Sequence, residues 1–332
     1  MSLTARAQNC VDRLAGVLSS DSTATRRTKS SPFESVRTRI DDIRTRFESA
    51  LPSENTTIGY LLRLSRPRFW FYLAGPVIVG AVYAASDVSD LFALRTIALF
   101  GYFLVPANVF LYGINDIFDA DIDADNPKKS GREVRYTGDR STIFAVLASG
   151  SLALGFVPVL PSAALAAFAA FGVLAIEYSA PPFRFKTTPL FDSISNGLYI
   201  LPGVVAYTAL AGELPPFAAV LGGWLWAMGM HTFSAIPDIE PDRRAGVRTT
   251  ATVLGERQTY AYCGACWFAA ALAFGSVHPF FAAVLLVYPL LVVAITRSSI
   301  DVERVYWWYP AVNTLVGMVL TLGGVWALVA GG

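Results

Sequence analysis

Nine long apolar stretches, separated by short polar segments, fill most of the sequence, and they decide what the chain can fold into. A helix needs about 20 predominantly apolar residues to cross the hydrocarbon core of a bilayer. Stretches of roughly this length occupy residues 69–86, 91–118, 142–159, 162–178, 190–211, 217–236, 259–276, 279–296 and 305–330. The 332 residues are 54% hydrophobic and only 15% charged, whereas about 25% of a typical soluble domain is charged. The sequence therefore predicts an all-α, polytopic membrane protein with nine transmembrane helices.

Lysine and arginine follow the same alternation. They concentrate in every second loop, at residues 119–140, 179–189, 237–258 and 297–304. The intervening loops contain neither residue type, and Arg95 is the only basic residue close to them. Because basic loops stay in the cytoplasm, the amino terminus is predicted to be cytoplasmic and the carboxyl terminus to lie outside the cell membrane. The net charge of +1 identifies no partner; membrane lipid is the expected surroundings, and no nucleic acid is expected to bind.

The first 62 residues differ from the rest because they are rich in serine, threonine and arginine. Residues 1–32 lack apolar periodicity and are predicted to be disordered. Between residues 33 and 51, apolar side chains recur at steps of three and four, the spacing of an amphipathic helix. This helix is expected either to lie on the membrane surface or to pack on the protein's own loops. The predicted organisation is an extension, residues 1–62, followed by a nine-helix transmembrane domain, residues 63–332.

A group of carboxylates follows the second apolar stretch, at a depth where charge is expensive and tends to be functional. At 100° per residue on a helix, Asp116, Asp119 and Asp123 share one face. Their mutual repulsion favours an occupying cation. The same region holds three further candidate residues for the cation site or an adjoining cavity: Asn115, Asn108 and Tyr112.

A second carboxylate pair, Asp238 and Asp242, follows the sixth stretch with a spacing of four residues, again one helical face. Pro237 and Pro241 interrupt the backbone around this pair, and irregular backbone at membrane depth is tolerated where it lines a cavity. His231 lies two turns earlier on the same stripe. It is either a packing residue in an apolar helix or part of a cavity lining.

Both carboxylate groups fall on the basic face, and a need to orient the protein explains the basic residues but not the aspartates. Mg²⁺ is usually held by one or two carboxylates together with substrate phosphates. The five aspartates are therefore predicted to be catalytic and to bind Mg²⁺ and, through it, a diphosphate. The remaining charge of the diphosphate would be neutralised by nearby cations, and the candidates are Lys128, Lys129, Arg132, Arg184 and Lys186.

Four motifs, taken in order, make the sequence recognisable. Asn115-Asp116-x-x-Asp119-x-x-x-Asp123 and Asp238-x-x-x-Asp242-x-x-x-Gly246 resemble the two aspartate motifs of the UbiA superfamily of intramembrane aromatic and polyprenyl transferases. Tyr178-Ser179-Ala180-Pro181-Pro182-Phe183-Arg184-Phe185-Lys186 resembles a basic stretch of that family, and Ser65-Arg66-Pro67 resembles the start of its first helix. The resemblance covers residues 61–330. It implies nine helices around a central cavity, Mg²⁺, an allylic diphosphate, and a metal-binding cluster at each aspartate motif.

The resemblance extends to one branch of this family. Residues 126–136 and 231–242 look most like the lycopene elongases of halophilic archaea. That resemblance implies that dimethylallyl diphosphate supplies five-carbon units to an apolar isoprenoid acceptor, lycopene, toward C50 carotenoids, with hydration of the ends in archaeal members. Aromatic faces stabilise cations, so three tyrosines are candidates to face the allylic cation in the cavity: Tyr112, Tyr178 and Tyr199.

Three other functions are open alternatives. A related enzyme could use a glyceryl lipid or a quinone-ring precursor as its acceptor. A cation transporter would more often place its charges near the bilayer midplane, whereas these charges lie at one face. A non-catalytic membrane scaffold would not require the intact set of carboxylates. Prenyl transfer within the membrane is therefore the predicted function.

Overall fold

The protein is described by a computed structural model that covers residues 52–53, 56–119, 136, 138–298 and 302–330, apart from the side chains of 303–308. Every secondary-structure element within these residues is helical, which confirms the all-α prediction. The described residues from Ser53 onward belong to one compact unit. The predicted amino-terminal helix at residues 33–51 lies outside the described residues, as do four predicted site residues, Asp123, Lys128, Lys129 and Arg132.

The α-helices of the described residues are, in chain order, α1 (Thr57–Leu64), α2 (Trp70–Ala84), α3 (Leu94–Leu104), α4 (Pro106–Phe118), α5 (Arg140–Ser151), α6 (Ser162–Ser179), α7 (Phe191–Ile194), α8 (Leu201–Ala211), α9 (Phe217–Ser234), α10 (Ile239–Arg244), α11 (Thr250–Leu254), α12 (Glu256–Val277), α13 (Pro279–Leu285), α14 (Val287–Arg297) and α15 (Val302–Ala330). Short 3₁₀ turns join several of them: Pro67–Phe69, Val88–Phe92, Leu152–Phe156, Phe185–Thr187, Ser195–Ile200 and Ile236–Asp238. Pro106 begins α4, a position that needs no amide hydrogen. Gly212, with a φ of 78°, ends α8 in the left-handed conformation that favours glycine.

Each of the nine predicted apolar stretches is largely helical in the structure. Within the described residues, six helical segments are long and apolar enough to cross a membrane: Leu94–Phe118, Ser162–Ser179, Phe191–Ala211, Glu256–Val277, Pro279–Arg297 and Tyr309–Ala330. Shorter apolar helices are α2, with 15 residues, and Arg140–Phe156. Large apolar side chains such as Leu94, Phe217 and Trp326 are exposed on the surface, as expected for helices that face lipid.

Two clusters of buried side chains hold the helices together. The first joins α2, α3, α4, α6 and α8 around residues such as Phe103 and Phe171. The second joins α9, α12, α14 and α15, where the rings of Phe233 and Tyr309 lie 4.5 Å apart and Trp267 is fully buried. Residues from both clusters line the cavity described below, so the packing of the two halves determines its shape.

The helices α2 and α8 approach each other closely at two glycines. A Cβ atom on Gly80 would lie 2.2 Å from the carbonyl oxygen of Gly203, and one on Gly203 would lie 2.8 Å from that of Pro76. Backbone atoms cannot move aside on their own, so a side chain at either glycine would force the helices apart. Small residues at helix contacts are what permit such close packing in membranes.

Gly80→Ala should therefore lower the stability of the purified protein in detergent, whereas Gly75→Ala in the same helix should not. A Cβ atom on Gly75 would meet nothing within 4 Å. Overpacking of this kind typically costs about 1–3 kcal/mol. The thermal unfolding midpoints of the two variants give the comparison, and equal midpoints would contradict the close approach of α2 and α8.

Candidate functional site

Asp116 and Asp119 lie at the carboxyl end of α4, Asp116 in its last turn and Asp119 as its C-cap. Both are buried, with 3% and 8% of their surface exposed. The carboxyl end of a helix carries a partial negative charge, and a buried charge without a partner is strongly destabilising. Two carboxylates at this place therefore need positive partners.

Three cations contact these carboxylates. Arg66, just before α2, places Nη2 2.8 Å from Oδ1 of Asp116. The other two come from residues 180–190 between α6 and α7, called the basic loop here. Arg184 places Nη2 3.1 Å from Oδ1 of Asp119, and Nζ of Lys186 contacts the same oxygen. Two predicted carboxylates and two predicted diphosphate-binding residues thus meet in one group of side chains, which we call the charge cluster.

Two of these three basic residues have a strained backbone conformation. Arg66 and Arg184 adopt left-handed φ angles of 49° and 44°, and Leu190, at the end of the basic loop, has a φ of 69°. Among the described residues these three are the non-glycine positions with positive φ. Such a conformation costs about 1–3 kcal/mol, and residues that adopt it tend to gather at functional sites. The strained turns aim both guanidinium groups at the carboxylates.

Lys186 lies in the turn Phe185–Thr187, outside the membrane-spanning helices. Burial lowers the pKa of its ammonium group to about 8, and the nearby charge of Asp116 opposes that shift. The group is still mostly protonated at neutral pH. It can therefore act as a charge-assisted hydrogen-bond donor to an anion.

The second carboxylate pair lies where α9 ends and the backbone changes direction. Asp238 ends the turn Ile236–Asp238, Asp242 lies in the short helix α10, and both side chains are half-buried. After α10 the chain turns at Gly246, which has a φ of 71°. In the part of the chain that the structure describes, no three carboxylate, histidine or cysteine side chains are grouped closely enough to hold a metal ion.

A buried polar clasp connects the basic loop to the segment after α10. Asp192, 1% exposed in α7, accepts a hydrogen bond from the backbone N–H of Thr250 at 2.9 Å and another from its hydroxyl. The same hydroxyl accepts from the backbone N–H of Leu190 at 2.7 Å. Arg243 of α10 in turn donates to the carbonyl oxygen of Thr252 at 2.8 Å. These bonds fix α10, which carries Asp242, relative to the basic loop.

A cavity of about 180 Å³ lies next to the charge cluster. Its walls are mostly aromatic and include several polar side chains: Phe69, Tyr72, Tyr112, Asn196, Tyr199, Trp226, Ala227, Met230, His231, Phe233, Ser234 and Tyr309. The guanidinium carbon of Arg66 is 4.6 Å from the ring centre of Tyr112, which joins the cavity to the charge cluster. The hydroxyl groups of Tyr112 and Tyr199 are 3.4 Å apart. A charged group beside an aromatic cavity can hold a ligand that has an anionic head and an apolar tail.

Three other predicted cavity residues, Tyr178, Asn115 and Asn108, are not among those that line this cavity. The hydroxyl of Tyr178 is 3.5 Å from Nε2 of His231, which lines the cavity. The side-chain amide of Asn115 donates to the hydroxyl of Ser179 at 3.0 Å. Asn108 is fully buried, and its amide donates to two carbonyl oxygens at the carboxyl end of α3. The Asn108 side chain therefore bonds to the backbone at the break between α3 and α4.

Arg66 and Asp192 are among the residues of this arrangement that were not predicted from sequence to form the site. The sequence marks Arg66 only through the family-like tripeptide Ser65-Arg66-Pro67, although a basic residue directly before the first apolar stretch is a signal for the charged face. Asp192 lies within an apolar stretch, where a carboxylate is rare unless it has a function or a firm partner. That position is the signal that could have identified it.

Comparison with known proteins identifies the family. Residues 73–309 match the UbiA prenyltransferase family. The chain is 61% identical over 287 residues to the lycopene elongase/hydratase of Haloarcula japonica, which covers 86% of this chain and 98% of that protein. It is 62% identical over 272 residues to the lycopene elongase/hydratase of Haloferax volcanii, which covers 82% of this chain and 90% of that protein.

The fold is similar to that of a UbiA homologue from Archaeoglobus fulgidus. The TM-score is 0.61 at 21% identity for its structure with GPP and Mg²⁺, and 0.59 at 20% identity for its structure with DMAPP and Mg²⁺. Each comparison covers 81% of this chain and 99% of that chain. At such identity the likeness establishes the fold, while the match over residues 73–309 and the two relatives establish the family. The chain belongs to the UbiA prenyltransferase family of intramembrane enzymes.

Proposed function

We propose that this protein transfers a prenyl group from dimethylallyl diphosphate to an end of lycopene, toward C50 carotenoids, and that water is added to the acceptor. The observation that carries the proposal is the charge cluster beside an aromatic cavity. A prenyl diphosphate has the two matching halves, a highly charged head and an apolar allylic tail. Lycopene is supported as the acceptor by the names of the two relatives at 61% and 62% identity.

The residues present fit a divalent cation. Asp116 and Asp119 offer buried carboxylate oxygens, which are the hard ligands that Mg²⁺ prefers. The proposal assigns Mg²⁺ to Asp116, Asp119 and Asp123 on one side and to Asp238 and Asp242 on the other. The fold neighbours that bind Mg²⁺ together with GPP or DMAPP support this assignment. When bound, Mg²⁺ neutralises negative charge on the departing diphosphate.

The cations of the charge cluster are proposed to bind the diphosphate. Arg184 and Lys186 would share their contacts with Asp119 with the phosphate oxygens, and Arg66 would do the same from Asp116. Three further residues, Lys128, Lys129 and Arg132, are assigned the same role. Charge-assisted donors stabilise the anion that forms as the carbon–oxygen bond ionises.

The aromatic cavity is proposed to hold the reacting carbons. The rings of Tyr112, Tyr178 and Tyr199 can stabilise the allylic cation through their faces. Drug-sized ligands occupy pockets of about 300–1,000 Å³, and lycopene is longer than such ligands. A cavity of about 180 Å³ therefore accepts only the reacting end of lycopene, while the rest of the polyene extends beyond it.

Pigment analysis in a lycopene-producing host tests the acceptor. Cells that express the protein and form dimethylallyl diphosphate should accumulate carotenoids that are five and ten carbons longer than lycopene. Cells with an empty vector are the control. Unchanged lycopene in cells that contain the folded protein would reject lycopene as the acceptor and would favour the alternative, a glyceryl lipid or a quinone-ring precursor.

The proposed topology has nine membrane spans, a cytoplasmic amino terminus and a carboxyl terminus outside, with residues 1–62 as an extension and 63–332 as the transmembrane domain. It is supported by the helices at all nine predicted stretches and by the basic residues of alternate loops. Single cysteines at Asp90, Gly212 and His278 should react with an impermeant reagent added to intact cells. A cysteine at Arg244 should react only after lysis. Labelling of Arg244→Cys from outside would reverse the proposed orientation.

A further inference from the structure

Two polar residues in the wall of the aromatic cavity, His231 and Asn196, contact Tyr178, and the three side chains form a polar corner. The hydroxyl of Tyr178 lies 3.5 Å from Nε2 of His231, and the two rings meet edge to face with centroids 5.9 Å apart. Asn196, 3% exposed, contacts Tyr178 and holds its own amide nitrogen 2.5 Å from the carbonyl oxygen of Asp192. Three separate elements, α6, α9 and the turn Ser195–Ile200, thus bring polar atoms together in a mostly aromatic wall.

His231 lies deeper in the membrane than the second carboxylate pair. His231 precedes Asp238 by seven residues, whereas Tyr112 precedes Asp116 by four. At 1.5 Å per residue, His231 lies about 10 Å below Asp238, and Tyr112 lies about 6 Å below Asp116. His231 lines the aromatic cavity, so the corner faces the carbon end of the ligands.

The proposed reaction creates a positive charge on the acceptor. When the allylic cation bonds to the terminal double bond of lycopene, the charge moves to the more substituted carbon of that bond. Loss of a proton from a neighbouring carbon gives a new alkene. Attack by water forms a carbon–oxygen bond and, after loss of a proton from the oxygen, gives an alcohol. Both outcomes require a proton acceptor.

We propose that His231 accepts this proton and that His231 and Tyr178 together hold the water that attacks the acceptor cation. With its proton on Nδ1, a neutral imidazole accepts at Nε2, and a tyrosine hydroxyl both donates and accepts. A water beside both atoms can donate to Nε2 and accept from Tyr178, which leaves an oxygen lone pair for the cation. One dimethylallyl diphosphate, one lycopene and one water then give one alcohol, one diphosphate and one proton. This inference rests on the proposed function.

The role of Asn196 in this arrangement is to position Tyr178. Its amide nitrogen is fixed on the backbone of α7, so the side chain contacting Tyr178 is immobile. The tyrosine ring is thereby kept edge-on to His231.

A general acid–base group such as His231 typically contributes about 10²- to 10⁴-fold to a proton-transfer step.

The test compares His231→Gln and Tyr178→Phe with the wild-type protein, using dimethylallyl diphosphate, Mg²⁺ and lycopene in ¹⁸O-labelled water. Glutamine keeps a polar side chain but cannot accept the proton, and phenylalanine keeps the ring but lacks the hydroxyl. The mass spectra separate the elongated alkene from the labelled alcohol. We expect the formation of both products to fall at least about tenfold in His231→Gln, and the ratio of alcohol to alkene to fall at least about tenfold in Tyr178→Phe. His278→Asn, which changes the chain's other histidine and keeps a capping side chain on α13, should leave both measurements unchanged.

Binding of a non-ionisable thiolo analogue of the donor reports whether each variant is folded. Wild-type rates of formation of both products in folded His231→Gln overturn the assignment, whereas loss of both products with intact analogue binding supports it, because both routes need the proton acceptor. If His231→Gln does not fold, Tyr178→Phe decides by the ratio of alcohol to alkene. A wild-type protein that elongates lycopene without taking up label refutes this inference alone. A wild-type protein that leaves lycopene unchanged refutes the proposed function as well.

Discussion

Replacing Asp116, Asp119 or Asp238 by asparagine should lower the rate of prenyl transfer by at least about a thousandfold, equivalent to about 4 kcal/mol of transition-state stabilisation. Asparagine keeps the size of the side chain but removes the charge that a divalent cation requires. Losing one contributor to the stabilisation of a developing anion has effects of this order in other enzymes. Initial rates of diphosphate release at saturating donor concentration give the comparison.

Glu213→Gln is the matched control for these variants, because Glu213 is an exposed carboxylate in a loop on the predicted opposite face. Its rate should equal that of the wild-type protein. The thermal unfolding midpoint of every variant separates lost chemistry from lost folding. A folded Asp119→Asn protein with a near-wild-type rate would show that the charge cluster does not assist ionisation.

Arg184→Ala and Lys186→Ala should each raise the KM for dimethylallyl diphosphate by about 10- to 100-fold. A hydrogen bond to a charged group contributes about 1.5–3 kcal/mol, and each factor of ten corresponds to about 1.4 kcal/mol. The KM for lycopene should stay the same, since an apolar polyene offers these cations no partner. Steady-state kinetics with each substrate varied in turn measures both constants.

Arg297→Ala serves as the control for the loss of a basic side chain, because Arg297 ends α14 on the same predicted face and is exposed. Its donor KM should match that of the wild-type protein. A parallel rise in both KM values for Lys186→Ala would mean that the basic loop supports the fold of the cavity rather than the binding of diphosphate.

The carboxylates of the charge cluster could be predicted from sequence because their arrangement is local. Asp116 and Asp119 share a face on any helix with 3.6 residues per turn. The pairing of Asp116 with Arg66 could not be predicted in the same way. The two residues are 50 positions apart, and their contact depends on a left-handed turn at Arg66. The spacing of apolar residues does not predict such a turn.

Asn108 shows how a break in a helix redirects a side chain. It lies on the same stripe as Tyr112, but only Tyr112 lines the cavity. The helix stops at Leu104 and resumes at Pro106, and the Asn108 amide donates to carbonyl oxygens at the end of α3. Proline commonly interrupts a helix in this way, so Pro106 is the sequence signal for the break.

The clasp at Asp192 is a tertiary contact that, like the pairing of Asp116 with Arg66, could not be predicted from sequence. Asp192 and Thr250 are 58 positions apart, and the hydrogen bonds between them exist only once α7 and α11 have packed. The sequence does show an anomaly, because Asp192 is a carboxylate within an apolar stretch. An anomaly of that kind indicates that a partner exists, but only the packed structure identifies Thr250 as the partner.

The most direct test is an assay of the purified full-length protein with dimethylallyl diphosphate, lycopene and a glyceryl lipid, with and without Mg²⁺. The masses of the products are measured. We expect lycopene derivatives five and ten carbons longer that form with Mg²⁺ and disappear when a chelator removes it. Prenylation of the glyceryl lipid while lycopene is recovered unchanged would contradict the assigned acceptor. Elongation at full rate in the presence of the chelator would contradict the assigned role of the aspartates.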